Sequence, residues 1–417
     1  MKKCIILAFS ILLLAAITLN LTACAPTVQA ADLMAGISGK TVQGKSADAK
    51  FIGNTADFAL DLFKKTSSEE KNSLISPLSV LLALAMTANG ADNQTLSEME
   101  AVLGGDIGLE ELNGYLFSYV RNLPNDKKSK LTVANSIWFR EDKNRLTVEK
   151  DFLQKNADYY NAAAYKSPFD GQTLKDINNW VKENTDGMIE KILDQIDDDA
   201  VMYLINAIVF DAEWETVYNK ANVREDSFTA IDGNKQTVDF MHSEENIYLD
   251  DGRATGFIKP YAGNKYSFVA LLPNEEIAIG EYLDMLSGEG FLQTIDGAIN
   301  TTVSAALPKF SYDYKIQMND ALKAMGMPQA FSPVQADFNK LGQSSRGNIY
   351  IGEVLHKTFI QVDELGTRAG AVTKVEMKDE AYIETKIVNL DRPFVYAIID
   401  NASKLPVFIG TVMEIAD

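Results

Sequence analysis

Apolar positions recur at helical spacing through the first half of the chain and at alternating or continuous spacing through the second. From Asn54 to Lys65, Phe58 and Leu62, and Ala59 and Phe63, stand four residues apart, the spacing of one helix face. A better-marked helix follows: Ser76 and Pro77 offer an N-cap hydroxyl and a proline at the first helical position. Leu78 to Ala88 is then almost wholly apolar until Asn89 and Gly90 supply the stop. A helix that is apolar all round belongs in a core. Leu131 to Phe139, Val201 to Phe210, Tyr266 to Leu272, Phe394 to Ile399 and Val407 to Met413 are short, β-branched and aromatic, which predicts strands. Helices come early and strands late, without regular βα alternation. That order predicts an α+β fold with antiparallel or mixed sheets.

The ends of the pattern carry addresses. Met1, Lys2 and Lys3 form a basic start to the apolar run from Cys4 to Leu21, the layout of an export signal. Leu21, Thr22, Ala23 and Cys24 resemble the bacterial lipobox, which implies cleavage before Cys24 and lipidation of its thiol. Residues 1–23 are then a lipoprotein signal peptide. Residues 24–50 are small and polar, with Gly36, Gly39 and Gly44, and read as a flexible tether without a core. From Phe51 onward no second linker or repeat appears, so residues 51–417 are expected as one domain.

Composition narrows the function classes. The 417 residues carry a formal charge of −19, which repels phosphate backbones and argues against nucleic-acid binding. Cys4 leaves with the signal, so the mature chain is left with one cysteine and can form no internal disulfide. His242 and His356 are the only histidines, and no clustered ligand spacing or catalytic motif accompanies them. No metal, no cofactor and no enzymatic activity are expected, and the molecule is expected to be a monomer.

The unusual stretch runs from Glu364 to Pro393. Thr367, Ala369, Ala371, Thr373, Val375 and Met377 alternate with Arg368, Gly370, Val372, Lys374, Glu376 and Lys378, a small side facing a largely polar one. Such a segment can lie in a sheet, so it reads as a latent strand. By pattern alone, an ordinary surface strand or solvated loop fits as well.

Several separate stretches then coincide. Asn72 to Ser79 (NSLISPLS), Asn135 to Phe139 (NSIWF), Leu204 to Glu215 with its central Asn206 and Trp214, Leu307 to Phe310, Ala330 to Ser332, Val354 to Lys357 and Arg392 to Phe394 resemble the serpin family of protease inhibitors in sequence and order. Glu364 to Thr367 (ELGT) resembles that family's hinge. The resemblance implies three β-sheets with about nine helices and an exposed reactive loop near the C-terminus. It also implies suicide inhibition: a serine or cysteine protease attacks the loop, forms an acyl-enzyme, and is trapped when the cut loop inserts into the main sheet.

On that resemblance the hinge is Glu364, Gly366, Thr367, Ala369, Ala371 and Thr373, and Arg368 departs from the family's usual Glu. Ser76, Ser79, Asn206 and His356 match the family's shutter, and Trp214 its breach, where insertion begins. Family spacing from Glu364 places the reactive bond between Glu380 and Ala381. Counting back from Pro393 favours Tyr382, and a trypsin-like target would favour Lys378. The expected partner is the target protease, with the membrane touched only through the lipid on Cys24, outside the cell. A non-inhibitory serpin acting as a surface binding module is the alternative, and an acidic solute-binding lipoprotein fits the composition alone.

Overall fold

The computed structural model describes residues 28–125, 128–141, 146–197, 200–345, 347–367 and 385–415. Helix α1 (Ala49–Thr66) starts where the Asp48 carboxylate accepts the Phe51 N–H. Helix α2 (Pro77–Ala88) has every residue buried, and its Ser76 cap, Pro77 start and Asn89 stop are those expected. Helices α3 (Asn93–Gly104), α4 (Leu109–Asn122), α5 (Lys150–Tyr160) and α6 (Gly171–Asn184) complete the first half; α7 (Ile279–Met285), α8 (Gly288–Asp296) and α9 (Asn319–Met325) lie later.

The main sheet has seven strands in the order β1 (Ala31–Asp32), β5 (Ala163–Ser167), β3 (Ser129–Arg140), β6 (Met202–Glu213), β15 (Gly366–Thr367), β14 (Glu353–Val362) and β12 (Phe310–Gln317). Strand β6 is continuously buried from Met202 to Phe210, because sheet lies on both sides of it and helices cover its faces. That explains its apolar run without alternation. A nine-stranded sheet has eight strands in the order β16 (Lys386–Asn389), β11 (Ile299–Pro308), β8 (Lys235–Asp250), β9 (Ala254–Pro260), β10 (Tyr266–Pro273), β17 (Phe394–Asp400), β18 (Pro406–Val412) and β2 (Ser73–Ile75), and its ninth, β7 (Val223–Thr229), pairs with β8. A small third sheet joins β4 (Leu146–Val148) to β13 (Gly342–Ser344). Every predicted strand is present within two or three residues of its expected bounds.

The expected slack tether over residues 24–50 is not what its described part does. Ala31 and Asp32 pair with Lys166 and Tyr165 as the edge strand of the main sheet. The buried Asp176 carboxylate on α6 accepts the N–H groups of Gln29 and Ala30 at 2.9 and 2.8 Å. Leu33, Met34 and Ile37 pack on the core. Two of the three glycines that read as slack are there for close approach: a Cβ on Gly39 would lie 2.7 Å from the Ala157 carbonyl oxygen, and one on Gly44 2.0 Å from Ser118 Oγ, whereas Gly36 takes a φ of +80° in open space.

Candidate functional site

Two groups of predicted residues meet in the main sheet, one at its centre and one at its end. At the centre, Asn206 of β6 faces Asn135 of β3 on one side and His356 of β14 on the other. The N-terminus of α2 lies beneath them. Asn206 Oδ1 accepts from Ser79 Oγ at 2.5 Å and from His356 Nδ1 at 2.7 Å. Its amide nitrogen donates to the Ser79 carbonyl at 2.7 Å and to Asn135 Oδ1. Both donors and both lone pairs of a fully buried amide are thereby used. His356 Nε2 accepts the Ser76 N–H at 3.0 Å, which leaves the ring proton on Nδ1. Burial pushes the imidazole pKa down to about 3, and a second ring proton would point at a backbone donor.

Ser76, Ser79, Asn206 and His356, expected as the shutter, are therefore brought together in one network, and Ser76 is also the cap of α2. Asn135 belongs to the same network and was not singled out. An amide within an apolar strand is the signal that marks Asn206, and it marks Asn135 equally.

Five register pairs close β6 against β14 around this network, from Tyr203 opposite Glu353 to Ala207 opposite Lys357. Farther along, the two strands part and admit β15. Gly366 sits opposite Glu213, and Thr367 sits opposite both Ala212 and Val362. The start of the segment expected as an exposed loop is thus already seated in the sheet, a correction to the sequence reading. A Cβ on Gly366 would stand 2.0 Å from the Ala212 carbonyl oxygen, so glycine is required there.

A turn fixes the entry. Asp363 N–H donates to the Gly366 carbonyl at 3.0 Å, and Asp363 Oδ1 accepts the Leu365 N–H at 2.8 Å. Trp214 N–H donates to the Leu365 carbonyl and Tyr218 N–H to the Glu364 carbonyl, each at 2.9 Å. The Thr367 hydroxyl lies 2.5 Å from Tyr261 OH, and Glu364 pairs with Lys309 at 2.6 Å. Partial burial raises the Glu364 pKa, but the hydrogen bond and charge of Lys309 outweigh it and hold the carboxyl below its usual range.

Trp214 stands behind this entry. Its indole N–H donates to the Asp363 carbonyl at 2.8 Å, and its ring stacks on Tyr261 with centroids 4.5 Å apart. Lys259 reaches from β9 to place its ammonium 5.5 Å from the Trp214 ring and 4.3 Å from the Tyr218 ring, and it pairs with buried Glu245 at 2.7 Å. Trp214, for which the resemblance implied a place at the breach, thus lies against the turn that leads Gly366 and Thr367 into the sheet. Tyr261, Lys309, Lys259 and Glu245 were not anticipated. A lone Lys259 between Ile258 and Pro260 is a faint signal for a buried cation, and nothing in the sequence singles out Tyr261.

The hinge residues Ala369, Ala371 and Thr373, the bond Glu380–Ala381 with its alternatives Lys378 and Tyr382, and Cys24 lie outside the described residues.

The chemistry of the cluster is mechanical. His356 is occupied by Ser76 and Asn206, and His242 takes a 2.9 Å hydrogen bond from Arg224 Nε. Among the described residues neither histidine is bonded to a Ser or Thr side chain, and no Cys, His or carboxylate group is arranged to hold a metal. The arrangement couples strand separation to a buried polar network.

The sequence profile of the serpin family, described as serine protease inhibitors, matches residues 53–415. Human neuroserpin is 28% identical over 379 residues, covering 86% of this chain and 90% of its own. The crystal structure of a thermophilic serpin, Tengpin, in its native state superposes with a TM-score of 0.90 at 58% identity, covering 93% of this chain and all of its own. The latent-state structure of Tengpin gives 0.81 at the same identity, covering 90% of this chain and all of its own. The matched family is described as one of protease inhibitors rather than enzymes, and the fold is theirs: the chain belongs to the serpin family.

Proposed function

We propose that this protein is an exported inhibitor, anchored through lipid on Cys24, that captures a serine or cysteine protease as a covalent complex. The protease nucleophile attacks the carbonyl carbon of Glu380, the bond to Ala381 breaks, and the new amine of Ala381 leaves with a proton from the protease's general acid. The inhibitor stays joined to the enzyme as an ester or thioester. The segment from Arg368 onward then follows Thr367 into the sheet and parts β14 from β6. Each added ladder bond contributes about 1 kcal/mol net, so roughly a dozen residues supply the drive.

The observation that carries this reading is the seating of Gly366 and Thr367 between β6 and β14, in antiparallel register, with the small side chains of Ala369, Ala371 and Thr373 next in line. On insertion, strand alternation would send Arg368 to the face opposite Thr367, away from the closing gap.

A protease panel tests it, using glutamyl endopeptidase for Glu380, chymotrypsin- and subtilisin-like enzymes for Tyr382, and trypsin for Lys378. The expected result is an SDS-resistant band at the summed mass, with the cut mapped by mass spectrometry. Cleavage within residues 374–385 without any such band, across all classes, would refute inhibition and leave the non-inhibitory binding module.

A further inference from the structure

The N-terminal strand sits at a defined height on the main sheet. Strand β1 pairs with β5 at Lys166 and Tyr165, which stand level with Phe139 and Trp138 of β3 and so with Met202 and Tyr203, the first residues of β6. The hinge pairs with Ala212 and Glu213, the last residues of β6. From Met202 to Ala212 at about 3.3 Å per residue, the two features are about 33 Å apart along the strand, at opposite ends of the sheet.

The chain before β1 is held just as closely. Asp176 binds the N–H groups of Gln29 and Ala30, and Leu33 N–H donates to the Ala164 carbonyl at 2.9 Å. A slack run from Cys24 to Lys50 could stretch about 90 Å and leave the globule free to turn in any direction. With Gln29 and Ala30 fixed, the run from Cys24 to Val28 can span at most about 14 Å whatever its conformation.

We infer that the bilayer lies against the end of the molecule that carries β1 and α6, and that the hinge and reactive loop are presented at the far end, away from the lipid. This rests on the lipid anchor at Cys24 given above. The interaction surface is the lower rim of the main sheet, and the partner is a lipid surface. A loop that continues the register of Thr367 opposite Ala212 brings Met377 opposite Met202, so insertion travels toward the membrane.

The mature chain from Cys24 has that residue as its sole thiol, which allows a direct test. Cys24 is coupled to a maleimide phospholipid in phosphatidylcholine vesicles carrying an acceptor dye. A donor dye is placed by click chemistry on an azide-bearing residue at Lys175 of α6 or at Lys220 beside the hinge, both exposed. Energy transfer is expected to be at least about twofold more efficient from position 175 than from 220. Equal transfer, as from a freely turning globule, or the reverse order overturns the inference. The anchor itself is judged separately, by the mass of the N-terminal peptide of protein extracted from membranes, so the two readings fail independently.

Discussion

His356 shows how one buried side chain ties the sheet to solution conditions. Its folded pKa of about 3 lies below the ordinary 6.5, so on acidification the unfolded chain takes up the proton first. The stability held in the neutral ring is whole above pH 6.5 and is lost as pH falls toward 3, at up to roughly 1.4 kcal/mol per unit. Denaturant midpoints should therefore drop from pH 6.5 to 4.5, and the drop should be smaller in His356→Gln; equal slopes in both proteins would exclude His356 as the source. Thr367 supports a second prediction. Only 2% exposed and bonded to Tyr261, it leaves no room for a guanidinium. Thr367→Arg should cut the yield of covalent complex at least about tenfold while the loop is still cleaved, because burying an unpaired charge costs several kcal/mol. An unchanged yield would contradict the hinge assignment. Asn206 was legible as a residue needing partners because an amide interrupts an apolar strand. Tyr261 was not, because a tyrosine in a strand end looks the same whether its hydroxyl meets water or Thr367.

At the scale of elements, α2 was legible almost to the residue because cap, proline, apolar run and stop agree with one another. The segment from Val28 to Asp48 was misread for a physical reason. Its small residues signal either slack or close contact, and only the surfaces of α4 and α5 decide which. Its attachment depends on Asp176, whose loss would leave two backbone donors without their acceptor. Asp176→Ala should weaken docking of residues 29–33 by about 1–3 kcal/mol. Hydrogen exchange at Gln29, Ala30 and Leu33 should quicken while Asn135 and Ile205 in the sheet interior keep their protection. Unaltered exchange at residues 29–33 would mean that other contacts hold the segment.

Across the whole molecule, the α+β class was readable from periodicity, but strand order was not. The pairing of β14 with β6 joins residues about 150 positions apart in parallel, and no local pattern encodes such a partner. The family resemblance supplied what periodicity could not. The proposed mechanism requires that the molecule hold unrealised stability. If a cut loop adds about a dozen ladder bonds, the melting temperature should rise by about 10–20 °C after proteolysis between residues 374 and 385. Calorimetry before and after cleavage measures this, and an equal or lower value would mean that no strand is gained.

The five closed pairs between Tyr203–Ala207 and Glu353–Lys357 bear on the protein's lifetime as well as its speed. On the proposed mechanism, an unreacted molecule would survive as long as those pairs resist an uncut loop, while a captured protease would be held only if they yield before its ester is hydrolysed. One seam therefore sets both intervals. A substitution that strengthens the seam lengthens storage and delays capture together, and a substitution that loosens it shortens both, so the two properties cannot be tuned apart at this place in the sheet.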